Sequence, residues 1–66
     1  MHVTVNGEGR ELPAGTTLAT LLTELGLVVG SVVVEHNGRA LLRAETQAAV
    51  LVDGDVLELV RAVAGG

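Results

Sequence analysis

No cysteine, lysine, phenylalanine, tyrosine or tryptophan occurs among the 66 residues, and proline occurs once. Each absence removes a class of function. Without cysteine there is no disulfide framework and no thiolate metal site, and the two histidines cannot close a zinc site alone. Without aromatic rings there is no stacking platform for nucleic-acid bases. Four arginines against eight acids leave a net charge of −4, which argues against electrostatic capture of nucleic acid or an anionic membrane. No apolar run approaches the ~20 residues of a transmembrane span. The opening "MHVTVNGEGR" lacks the basic region and apolar stretch of a secretory signal. A soluble protein of the cytoplasm is therefore expected, with neither nucleic acid nor membrane as partner.

What is present is aliphatic. Hydrophobic residues make up 48% of the chain, and with no aromatics the core must be built from aliphatic side chains, chiefly leucine and valine. A chain of this size is expected to form one domain, 1–66, with the last residues, 62–66, as a flexible tail.

"HVTVN" alternates, with Val3 and Val5 on one face and His2 and Thr4 on the other, which predicts a half-buried strand. "NGEG" (Asn6 to Gly9) is turn chemistry, and "RELPAG" gives a short second strand with Leu12 inward, closed by Pro13 and Gly15. In "TTLATLLTELG", Leu18, Leu21, Leu22 and Leu25 fall at i, i+3, i+4 and i+7, the stripe of an amphipathic helix. Thr16 or Thr17 caps its start, and Gly26 sits where a left-handed residue ends it. "LVVGS" is a connector. "VVVEHNGRALL" is a hairpin about Asn37-Gly38, whose central positions suit a type I′ turn. "RAETQAAVLV" is ambiguous and admits one short helical turn. "DGD" (Asp53 to Asp55) is a turn and "VLELVR" the last strand. The order β-β-α-β-β-β, with one main helix packed on one face of a mixed sheet, predicts an α+β roll. Its core is expected to join the leucine stripe to Val3, Val5, Val34 and Leu57 or Leu59.

Candidate chemistry is sparse. Asp53 and Asp55 are spaced like a metal or acid–base pair, but Asp-Gly-Asp between strands is usually a solvated turn. His2 and His36 fall on different strands, as strand-surface residues without a third ligand. Asn6-Gly7 and Asn37-Gly38 are turn residues and not phosphate cradles, since no helix start follows either. Glu8 and Glu11 are solvated charges. The chain looks like a protein substrate and not an enzyme.

The opening strand "VTVNG", then "LPAGTTLATLLTEL", "VVVEHNG", "DGDVLELV" and the terminal "GG" appear in an order and spacing that resembles the ThiS family of sulfur carriers. The resemblance covers essentially the whole chain. It implies a ubiquitin-like β-grasp fold and a role in thiazole formation for thiamine biosynthesis. Family members often carry an aromatic residue near the segment that is here Glu45 to Ala49, where this chain has none.

By the same resemblance, the carboxylate of Gly66 is adenylated with ATP by an E1-like adenylating enzyme. A persulfide from a cysteine desulfurase or a rhodanese-type donor then displaces AMP. The resulting thiocarboxylate gives its sulfur to a thiazole synthase. Val63, Ala64 and Gly65 thread the partner's active site. No cofactor is bound, and ATP belongs to the partner.

Elementary chemistry favours the same tail. A carboxylate is a poor acyl electrophile until it carries a leaving group such as AMP. An enclosed, water-excluding site protects such an anhydride from hydrolysis. Side chains at Gly65 and Gly66 would collide with the walls of such a channel, whereas glycine lets the backbone approach closely.

Three other readings follow from the same residues. The first is a sulfur carrier for molybdopterin, cysteine or thionucleoside synthesis. The second is a ubiquitin-like protein modifier joined through Gly66, and the third a small binding module whose ending is accidental.

Overall fold

A computed structural model describes residues 1–61 of the chain; the expectation of a flexible tail at 62–66 lies outside them. In chain order the elements are β1 (His2–Val5), β2 (Glu8–Glu11), α1 (Leu18–Glu24), β3 (Val32–His36), β4 (Arg39–Ala40), α2 (Arg43–Ala48) and β5 (Val56–Arg61). The strands form one mixed sheet in the order β2-β1-β5-β3-β4. β1 and β5 run parallel at its centre, and every other pairing is antiparallel.

Period-two alternation decides the faces. Val3, Val5, Val34, Leu57 and Leu59 point to one side, where Leu18, Leu21 and Leu22 of α1 cover them. All eight are buried, as the sequence pattern requires. Leu51, which the pattern did not single out, joins them at 2% exposure. Leu25 is only partly buried, because α1 stops at Glu24 and Leu25 is its C-cap. Thr17 is the N-cap, its side chain accepting from the Thr20 amide at 3.1 Å. Gly26 takes φ +75°, the left-handed stop expected there. Leu12 lies one residue past β2 and packs, half-buried, against the core. On the other face Val33 pairs with Val60 and Glu35 with Glu58, all four open to solvent.

The expectation of one main helix on a five-stranded mixed sheet holds, and the ambiguous stretch, which admitted one short helical turn, holds the six-residue α2. "RAETQA" has no apolar stripe to announce a helix; side chains fix it instead. The Glu45 carboxylate accepts from the Leu42 amide at 2.8 Å, satisfying one orphan N–H of the first turn. That bond and the Arg39 guanidinium, 3.0 Å away, hold the Glu45 pKa below its ordinary value. Thr46 donates to the Leu42 carbonyl at 3.1 Å and is itself buried. The chain after α2 is stitched to the start of α1 by Leu18 N–H to Ala49 O and Leu51 N–H to Thr16 O. The result is the β-grasp arrangement that the resemblance implied.

Candidate functional site

The residues expected to carry chemistry, Gly66 with Gly65, Ala64 and Val63, lie outside the described residues. What the structure supplies is the strand from which they continue. β5 is central in the sheet, hydrogen-bonded to β1 on one side and β3 on the other. Its inward residues Leu57 and Leu59 are in the core.

β5 is held by asparagine side chains at its first residue, Val56, and at Leu59 within it. β1 stops at Val5, yet its ladder to β5 goes on. The Asn6 amide N–H bonds to Leu57 O at 2.9 Å. The Asn6 side chain then accepts from Leu59 N–H at 2.7 Å and donates to Leu59 O at 3.2 Å. A side-chain amide has the same donor and acceptor as a peptide group, so Asn6 stands in for the strand residue that the turn removed. Asn6 and Gly7 have φ of +50° and +82°, and Asn37 and Gly38 have +51° and +84°. These are the positive values a type I′ turn requires.

At the start of β5, Asn37 N–H bonds to Val56 O and Asn37 Oδ1 accepts from Val56 N–H, both at 2.8 Å. Its Nδ2 donates to Asp55 Oδ1 at 3.0 Å. Asp55 Oδ2 accepts from Val52 N–H at 2.9 Å and lies 3.1 Å from His36 Nε2. The expectation of a solvated Asp-Gly-Asp turn is therefore wrong for Asp55, which is 4% exposed. Burial alone would raise its pKa. The Val52 amide and the Asn37 and His36 side chains outweigh that and hold it below the ordinary carboxylate value. His36 faces this carboxylate from the core side of β3, and so is not the simple strand-surface residue expected. Asp53 also has a partner: its Oδ1 accepts from His2 N–H at 2.7 Å, at the head of the β1–β5 pair. His2 itself is exposed, as expected, with Nδ1 2.8 Å from Glu11 on the adjacent strand.

The aspartates therefore do not meet as an acid–base pair. Among the described residues no three His, Asp or Glu side chains converge as a metal site, and no helix is long and apolar enough to cross a membrane. Asn6, Asn37 and Asp55 form the mount for β5, and sequence reasoning missed that role. Asn6 and Leu59 are 53 residues apart, and nothing local reports such a contact. The signal available was the choice of asparagine, over glycine or aspartate, at the first turn position in both hairpins.

Comparison with known proteins fits this geometry. The ThiS family profile matches residues 3–66. The sulfur carrier protein ThiS of Thermus thermophilus is 42% identical over 64 residues, spanning 97% of this chain and 98% of that protein. A thiazole synthase of Magnetococcus marinus is 39% identical over all 66 residues, but this chain spans only 20% of its length. The crystal structure of the thiamine biosynthesis protein ThiS from Geobacter metallireducens superposes with a TM-score of 0.81 at 32% identity, each chain covered in full. The chain belongs to the ThiS family.

Proposed function

We infer that this chain is a sulfur carrier for thiazole formation in thiamine biosynthesis, a protein co-substrate and not a catalyst. The observation that carries the reading is the mounting of β5. A central strand, held at Val56 and at Leu59 by two asparagine side chains, precedes Ala62-Val63-Ala64-Gly65-Gly66 in the sequence. A substrate end delivered into another protein's active site needs a fixed root and slender last residues. The match to the Thermus carrier, 42% identical over nearly the full length of both chains, supports the same role.

In this mechanism the Gly66 carboxylate attacks the α-phosphorus of ATP on an E1-like adenylating enzyme, and pyrophosphate leaves. A persulfide sulfur from a desulfurase or rhodanese-type donor attacks the acyl carbon and expels AMP. A thiol then cleaves the resulting acyl disulfide and leaves the thiocarboxylate on Gly66. Val63, Ala64 and Gly65 thread the partner's active site behind it. A thiazole synthase is the acceptor, an assignment supported by the two thiazole synthases that match the whole chain over a fifth of their own length. The steps belong in the cytoplasm, where ATP is supplied.

Intact-mass measurement tests the proposal. Incubated with the adenylating enzyme, ATP and the sulfur donor, the chain ending at Gly66 gains the mass of one oxygen-to-sulfur exchange. Deleting Gly66 abolishes the gain, because the carboxylate then falls short by roughly 3.5 Å. Gly66→Ala slows it severely while leaving the fold intact. Normal loading of either variant would overturn the assignment.

A further inference from the structure

The geometry points to a second feature, independent of how the tail reacts: a docking cleft for an acidic segment of a partner protein, anchored by a leucine or valine. The cleft has a volume of about 310 Å³, at the lower end of the ~300–1,000 Å³ typical of ligand sites. Val5, Leu25, Leu27 and Leu59 contribute its apolar floor, where the end of α1 passes over β1 and β5. Leu25 and Leu27 are half-buried, so folding leaves part of their apolar surface uncovered.

Charge decides the occupant. The rim holds Arg10 from β2 and Arg61 from β5, with Glu8 as the one acid lining the cleft. The whole chain has four arginines against eight acids, so half of its cations gather at this one place. Among the described residues the close ion pairs are Arg39 with Glu45, His2 with Glu11 and His36 with Asp55. Neither Arg10 nor Arg61 is among them. An apolar floor with an arginine rim has the composition of an interface core, and it selects carboxylates over cations. Asn6 also lines the cleft, but its amide is committed to Leu59, so little hydrogen-bonding specificity remains for a small polar ligand. An aliphatic anchor flanked by Asp or Glu satisfies both parts. Arg61 lines the cleft and directly precedes residues 62–66 in the sequence, so a protein that takes hold of those residues comes within reach of Arg61.

The experiment is an NMR titration of the ¹⁵N-labelled full chain with two synthetic hexapeptides. Both carry a central Leu-Leu, flanked by Glu and Asp in one and by Lys in the other. The acidic peptide is expected to shift the amides of Leu27, Val32 and Leu59, and to bind at least tenfold more tightly than the lysine peptide. The double variant R10E/R61E reverses that order. R10Q and R61Q each weaken the acidic peptide severalfold, should the double variant fail to fold. Equal binding of the two peptides, no binding of the acidic one, or shifts centred elsewhere would overturn the assignment. So would the same shifts with sodium acetate alone, which would reduce the cleft to a site for any carboxylate. Binding that appears only after residues 62–66 are removed would also overturn it, by giving the cleft to the chain's own end.

Discussion

The two Asn-Gly hairpins share a dipeptide and, within a few degrees, a backbone, yet they hold β5 in different ways. Asn6 bonds straight to the Leu59 peptide, donor to acceptor and acceptor to donor, and no charged group takes part. Asn37 divides its amide between Val56 and the buried carboxylate of Asp55, which also accepts from Val52 and faces His36. One clamp is neutral and self-contained; the other is a network around an ion. A turn that looks identical in sequence thus acquires its energetics from what lies beyond it. Removing a partner from a network leaves the remaining polar groups unsatisfied, which costs more than losing an isolated bond.

That contrast can be broken in graded steps, each read as urea-induced unfolding of the variant against the parent. The largest effect belongs to the core beneath both clamps. Leu22→Ala, at a fully buried position, should cost about 2–5 kcal/mol, and a loss smaller than that of either clamp would mean the helix-on-sheet core is misassigned. Asp55→Ala should come next, at about 2–3 kcal/mol, because the Val52 N–H and the Asn37 amide lose their acceptor. Asn37→Gly and Asn6→Gly keep the positive φ and delete only the side chain. Asn37→Gly should cost about 1–2 kcal/mol and Asn6→Gly about 1 kcal/mol. Equal losses would erase the distinction between network and isolated clamp.

The smallest effect is in pH. Asp55 is held below its ordinary pKa in the folded chain, so its ionised form contributes stability that is fully present above the unfolded value of about 3.9. That contribution is lost as pH falls through the lower folded value. Stability should therefore fall on acidification below about pH 4. The slope should flatten in Asp55→Asn and persist in Asn6→Gly. An unchanged slope in Asp55→Asn would remove the charge from the second clamp.

How much of this was legible depended on the range of each interaction. The alternation in "HVTVN" and "VLELVR" and the stripe Leu18, Leu21, Leu22 report local periodicity, and the core follows them. The helix at Arg43–Ala48 could be read only as an ambiguous short turn, because Glu45 and Thr46 act on Leu42 through side-chain bonds and not through an apolar repeat. Asp55 read as solvated because its immediate neighbours are turn residues; its burial is imposed by the hairpin carrying His36 and Asn37. The Arg10–Arg61 cleft was invisible for the same reason, since its two cations come from strands that β1 separates in the sheet. Of the tail, sequence remains the source.

The paired clamps also set the protein's chemical lifetime. Asparagine followed by glycine is the pair most prone to deamidate, because the unhindered glycine nitrogen attacks the side-chain carbonyl to close a succinimide. In the folded chain both carbonyls are engaged, Asn6 with Leu59 and Asn37 with Val56, so the side chains are not free to turn toward that nitrogen. Each would become an acid if it opened: at position 6 beside the Leu59 carbonyl, at position 37 beside Asp55. Ageing should therefore run through the unfolded state and feed itself, since every lost amide loosens the strand that protects the other. Peptide mapping of samples stored in urea and in buffer should find deamidation at Asn6 and Asn37 faster in urea. Equal rates would mean that the folded clamps give no shelter.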